Sequence, residues 1–174
     1  MLRMESGCGA PEVNRLLNAA RVVIAGVHYC WLTTEDSSDG VNVRPMGRVS
    51  SIEDNENWCI RFVTDRRSRK VADIRRSARS SLIFQSNRDN GFVTLIGKAT
   101  LIESASDVNA HWRNSFNAYF QSEVDRANAA FIDVDINCME LWIRDVTPEP
   151  FGLHPTRIQK DANGAWQIAH KSHA

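Results

Sequence analysis

The sequence predicts a mainly β domain in which six antiparallel strands close into a small Greek-key barrel flanked by helices. Three observations carry that prediction. Short β-prone runs are separated by the turn pairs Asp39-Gly40, Asn90-Gly91 and Asn163-Gly164, each a strong hairpin signal. Phe131-Ile132-Asp133-Val134-Asp135-Ile136 alternates apolar and polar, as a half-buried strand does. Gly97 interrupts a long β-prone run, as a bulge or sharp bend would. Closure is the common way for this many antiparallel strands to remove exposed edges.

Taken in order, Pro11 to about Ala25 carries Val13, Leu16, Leu17, Ala20, Val23 and Ile24 at helical spacing, with Gly26 as the stop. His28 to Thr34 reads as strand one. Val41 to Ile52, with Val43 and Val49, reads as strand two, and Trp58 to Asp65 as strand three, joined by the polar turn Glu53 to Asn57. Sequential hairpins would pair strand one with two and two with three. Ser68 reads as the N-cap of a helix whose inner face is Val71, Ala72, Ile74 and Ala78. Ser81–Ser86 and Phe92–Ile102 form the next hairpin. Ser104 or Ser106 opens a helical region with Val108, Trp112, Phe116 and Phe120 four apart, a packing stripe. Phe131–Ile136 and Cys138–Val146 read as two strands, and Thr156–Asp161 with Ala165–His170 as a last hairpin.

The 174 residues fit one domain, 1–174, with 1–10 as a flexible tail. Apolar residues make up 43%, enough for one core. Lysine plus arginine and aspartate plus glutamate balance at 21 each, which argues against a nucleic-acid surface. No apolar run is long enough to span a membrane, and the N-terminus lacks a signal-peptide core, so a cytoplasmic protein is expected. Cys8, Cys30, Cys59 and Cys138 show no CxxC spacing and read as free thiols. The five histidines have no metal-ligand spacing, and no metal site is expected. Hydrolase, P-loop and Rossmann motifs are absent from the sequence.

The charges are nevertheless uneven: Arg66, Arg67, Arg69, Lys70, Arg75, Arg76 and Arg79 crowd one segment. Arg44 in strand two, Thr64 ending strand three, and Ser68, Arg69 and Lys70 at the helix start bring cations and hydroxyls to one end of these elements. With the free N–H groups of a helix start, that set can hold a phosphate monoester. Arg66 and Arg67 read as solvated or interface residues.

At these positions the chain resembles the pyridoxamine 5'-phosphate oxidase-like superfamily of FMN-binding split barrels, its general stress protein branch above all. The carrying residues are Arg44-Pro45-Met46, Phe62-Val63-Thr64, Ser68-Arg69-Lys70, Gly97-Lys98-Ala99 and Glu140-Leu141-Trp142, in register from about Val13 to Ile168. The resemblance implies a split barrel and a homodimer with FMN at the subunit interface. It implies Arg44 and Lys70 on the FMN phosphate, with Thr64, Ser68 and Arg69 beside them. Pro45, Met46, Val63 and Thr64 would line the ribityl and ring region, and Trp142 would come from the partner subunit. The oxidase's own substrate half is largely missing. Val49 stands where the oxidase has a lysine, Gly152-Leu153-His154 replaces Arg-x-His, and Arg113 is the one clear candidate in the helical segment. Oxidation of pyridoxamine 5'-phosphate is therefore disfavoured, and His154 is kept as a substrate-side candidate. Three readings stay open: an FMN-dependent oxidoreductase acting on a small molecule, a non-catalytic flavin-binding stress protein, and a cofactor-free structural dimer. The resemblance also leaves a deazaflavin or haem open in place of FMN.

Overall fold

The computed structural model describes residues 9–38, 40–49 and 57–169. The expected flexible tail (apart from Gly9 and Ala10), Cys8, Asp39, Ile52, Glu53 to Glu56, His170 and His173 lie outside the described residues. Helix α1 (Gly9–Ala25) is followed by β1 (Tyr29–Glu35), β2 (Val41–Gly47) and β3 (Cys59–Asp65). Helix α2 (Arg69–Arg76), β4 (Arg79–Ser86) and β5 (Gly91–Ile102) come next. After α3 (Ala105–Ala110), a 3-10 turn (Asn114–Ala118) and α4 (Glu123–Ala127), the chain ends in β6 (Ala129–Ile143), β7 (Thr156–Lys160) and β8 (Trp166–Ile168). No helix among the described residues is long and apolar enough to cross a membrane.

Among the described residues eight antiparallel strands, rather than six, form the sheet, in the order β2-β1-β4-β5-β6-β7-β8, with β3 paired to β6. The three expected hairpins form: β1 with β2, β4 with β5, and β7 with β8. Asn90, at φ 45°, and Gly164, at φ 83°, occupy the left-handed region that their turns require.

The expected pairing of β2 with β3 is corrected. β3 pairs along its whole length with the first half of β6, from Cys59 opposite Asp135 to Asp65 opposite Ala129. Arg61 and Asp133 face each other in that register and join through two bonds of 2.6 Å. Near β2, the described residues give β3 a single ladder-like bond, Val49 N–H to the Arg61 carbonyl at 2.9 Å. So β2 is an edge strand, where Pro45 removes no needed donor. Its presence beside Arg44 therefore calls for no ligand.

A second correction concerns β6. The two strands expected over 131–146 are one strand of 15 residues. Its buried positions Ile132, Val134 and Ile136 give way to Met139, Leu141 and Ile143, a change of parity. The cause is a bulge: Ile96 pairs with Cys138 but Gly97 with Ile136, leaving Asn137 as the extra residue. Gly97 is required opposite it, because a Cβ there would lie 2.0 Å from the Asp135 carbonyl oxygen.

The sheet has two unlike faces. Leu32, Leu82, Phe84, Val93, Leu95, Met139 and Leu141 point inward and pack with Leu16, Ala20, Val23 and Ile24 of α1 in one core. The helical region expected over 104–120 breaks into short pieces. Ser104 accepts the Asp107 N–H at 3.2 Å and Ser122 accepts the Asp125 N–H at 3.0 Å, so each cap starts its own turn. The aromatic stripe still packs as expected: Phe116 and Phe120 join Val108, Ala129 and Phe131 in a second cluster, with Trp112 against it.

Candidate cofactor site

The site grows from three local choices. Arg44 lies on the inward side of edge strand β2, with a side chain only 15% exposed. Thr64 is buried near the end of β3. The chain then turns into α2, where Ser68 holds the N-cap position at φ −71°, ψ 151°. Its hydroxyl makes no capping bond; it lies 3.5 Å from the Thr64 hydroxyl. The first-turn N–H groups of a helix have no partner within it, so Arg69 and Lys70 start α2 with backbone donors at this end.

Lys70 Nζ donates to Thr64 Oγ1 at 3.0 Å. Burial first, and then the charge of Arg44, lower the Lys70 pKa from the usual lysine value. Arg44 is lowered too, mainly by burial, and the charge of exposed Arg69 adds to that effect. Of the grouping read from the sequence, Thr64, Ser68 and Lys70 are joined by hydrogen bonds, and Arg44 is near enough for its charge to act on Lys70 and for Arg69 to act on it.

A group that sequence reasoning missed holds Arg44. Its Nη2 donates to Asp73 Oδ2 at 3.2 Å and its Nη1 to Thr34 Oγ1 at 2.7 Å. Thr34 Oγ1 and Asn42 Nδ2 donate in turn to the same carboxylate oxygen, at 2.8 and 3.0 Å. Burial works to raise the Asp73 pKa, but the bonds from Thr34 and Asn42 and the charges of Arg44 and Arg76 outweigh it. The pKa lies below the usual aspartate value. A guanidinium has five N–H groups; two of Arg44's are used here, so donors remain for a ligand. The signal that could have revealed Asp73 is its solitude, as the only acid among the residues of α2.

Beside this cluster lies a cavity of about 680 Å³. Pro45, Met46, Val63 and Thr64 line it, facing Phe116, Tyr119 and Phe120 of the 113–120 segment. Thr64 belongs to both places, taking the Lys70 ammonium on its hydroxyl while lining the cavity. A second cavity of about 440 Å³ shares Val49, Arg113 and Phe116 with the first but does not reach Thr64. Arg113 donates to the Val49 carbonyl at 2.9 Å on that shared wall. The residues present fit a phosphorylated flat heterocycle. A cation pair and hydroxyls stand at one end, with an apolar and aromatic chamber beyond.

Other residues fall elsewhere. Trp142 sits on the outer face of β6, opposite Phe92, away from this cavity within the chain; its indole N–H is buried and makes no hydrogen bond among the described residues. His154 is exposed after the Glu149-Pro150 cis bond and does not line the cavity. Arg66 donates to the Glu103 and Ala129 carbonyls, and Arg67 binds Asp65, so both serve local structure. Among the described residues, Cys30, Cys59 and Cys138 form no disulfide. Burial pushes Cys30 and Cys59 up to about 12, so neither supplies a thiolate at neutral pH.

Comparison with known proteins bears on the fold and the family. No curated protein matches the sequence. Among solved structures, the chain is similar to a Clostridium acetobutylicum protein related to general stress protein 26, at 11% identity and TM-score 0.67, covering 83% of this chain and 94% of that one. It is similar to a pyridoxamine 5'-phosphate oxidase-related, FMN-binding protein from Nostoc punctiforme, at 14% identity and TM-score 0.63, covering 97% and 100%. PhzG from Burkholderia lata, solved with tetrahydrophenazine-1-carboxylic acid, is similar at 18% identity and TM-score 0.65, covering 90% and 88%. These likenesses show a shared fold. The model of the family described as pyridoxamine 5'-phosphate oxidase like matches residues 17–151, and the chain belongs to that family.

Proposed function

We propose that the protein binds FMN, with the phosphate on Arg44 and Lys70 and the ring system in the cavity beyond Thr64. The observation that carries the reading is the double place of Thr64, which takes the half-buried Lys70 ammonium on its hydroxyl and also lines the apolar chamber. Ser68, Arg69 and the helix-start N–H groups complete the phosphate end. Pro45, Met46 and Val63 give the ring its flat wall. Bound FMN would supply hydride and electron transfer; the chain's part is to anchor it, orient it and shield it from water. On this reading the protein is a flavin-dependent oxidoreductase of a small molecule, acting in the cytoplasm.

The active form in this proposal is a homodimer with the flavin at the interface. The outer sheet face supports it. Tyr29, Trp31, Val41 and Val43 are 60%, 52%, 69% and 50% exposed, and Phe92 is 38% exposed. On one sheet face that is a large apolar patch for a monomer to leave in water. Trp142 and its unpartnered N–H lie on the same face, where a partner's flavin would meet them.

The test is an absorbance spectrum of freshly purified protein, with mass determination of what heat releases. Oxidised-flavin bands and the mass of FMN are expected; colourless protein that takes up no FMN at micromolar concentration overturns the reading. Reduction of the bound flavin by a nicotinamide cofactor faster than free FMN separates an enzyme from a flavin-storing protein.

A further inference from the structure

Asp73 has no part in the ligand site as described, yet it is the most heavily bonded side chain beside it. It is 3% exposed. One carboxylate oxygen receives Thr34, Asn42 and Arg44, and the other lies 3.5 Å from Arg76 Nη2. These bonds tie α2 to β1 and β2, the elements that carry or support the cations of the cradle. Arg44 and Lys70 are both drawn out of water, and Arg69 adds a third positive charge. Cations collected this closely repel unless an anion stands among them.

We propose that Asp73 is a standing counter-anion of the phosphate cradle: it holds the cations together while the site is empty, and it lowers the affinity with which they take a phosphate. The proposal rests on the cradle reading above. Both halves follow from one charge. Without ligand, the carboxylate is the only acid of α2 and offsets repulsion between Arg44 and Arg76, while Lys70 has the charge of Asp65 near it. With ligand, the incoming phosphate is a second anion on the same guanidinium, and like charges oppose each other across it. Asp73 therefore sets a weaker grip on the phosphate in exchange for a preformed site, and it does not touch the ring chamber.

Asp73→Asn tests this, because it keeps the shape and an acceptor oxygen for Thr34 and Asn42 while removing the charge. The full chain, stripped of flavin, is measured beside the wild type for melting temperature and for FMN and riboflavin Kd by flavin fluorescence quenching. The expected result is a flavin-free Tm lower by about 5 °C. FMN Kd should tighten by about tenfold, riboflavin Kd should stay within about twofold, and the Tm gain on adding FMN should exceed that of the wild type. A wild-type preference for FMN over riboflavin that Asp73→Asn leaves unchanged or reduces overturns the proposal alone; Asp73 would then merely aim Arg44. A wild type that binds FMN and riboflavin alike overturns the cradle reading and the proposal with it. If the variant does not fold in dilute buffer, inorganic phosphate should restore it where sodium chloride of equal ionic strength does not. Failure to recover in phosphate overturns the proposal.

Discussion

Lys70→Met isolates the phosphate end of the site. Lys70 donates one described hydrogen bond, to Thr64 Oγ1, and its ammonium sits in the field of Arg44. Methionine keeps most of the apolar stem and removes the charge. The fold should lose little: one partly exposed hydrogen bond is given up and one repulsion is relieved, a net change within about 1 kcal/mol. Binding is different. A charge-assisted bond to phosphate contributes about 1.5–3 kcal/mol, which is roughly a 10- to 150-fold rise in FMN Kd. Riboflavin has the same ring and ribityl chain without the phosphate, so its Kd should stay within about twofold. Fluorescence titration of both ligands, at low and moderate salt, reads the effect. The wild-type FMN Kd should weaken with salt more steeply than the variant's, because one screened charge is gone. The alkaline limb gives a second check. Lys70 must be protonated to hold phosphate, and its lowered pKa means the proton leaves below the usual lysine range. Wild-type affinity for FMN should therefore fall as pH rises toward that range, and Lys70→Met should remove that fall. Equal losses for FMN and riboflavin, or no loss for either, would refute the assignment of Lys70 to the phosphate.

Gly97→Ala should be severe, because the new Cβ meets backbone, the Asp135 carbonyl oxygen at 2.0 Å, with no flexible side chain to yield. A cost of about 3 kcal/mol or more, read by circular dichroism as a melting point lower by roughly 10 °C, is expected; an unchanged melt would contradict the bulge geometry. Trp31→Glu puts a charge on the apolar outer face at a side chain already 52% exposed. On the proposed homodimer, sedimentation should show dimers for the wild type and monomers for the variant, with the melting point of the isolated chain little altered; a variant that sediments as the wild type does counts against that face. Asp73 has a folded pKa below its unfolded value of about 3.9, so its stabilising contribution is present above that pH and lost as pH falls through the folded value. Acid titration of Asp73→Asn should thus show a shallower loss of stability below about pH 4 than the wild type, and parallel curves would deny the carboxylate that role.

What was legible in the sequence was local, and what was not depended on partners far along the chain. Asn90-Gly91 and Asn163-Gly164 announce their hairpins because a turn's requirement for left-handed backbone is written in the turn itself. The β3–β6 pairing leaves no such mark. Arg61 and Asp133 are 72 positions apart, and only the register shows that they form a cross-strand pair. The parity change along β6 was visible, but alternation that shifts by one residue reads equally as a strand end or a bulge. The choice between them is made across the sheet, by Gly97 on β5. The same asymmetry governs the site. Arg44 and Lys70 could be picked out because cations near strand ends and helix starts are a recognisable type. Their counter-charge could not, because Asp73 is identical in letters to an exposed aspartate and differs only in being buried against Thr34, Asn42 and Arg44. Counting cations from sequence therefore overstates the positive charge that a phosphate meets. On the proposed reading a phosphate meets Arg44 and Lys70 with a carboxylate hydrogen-bonded behind Arg44, and the affinity of that site must be judged against the carboxylate.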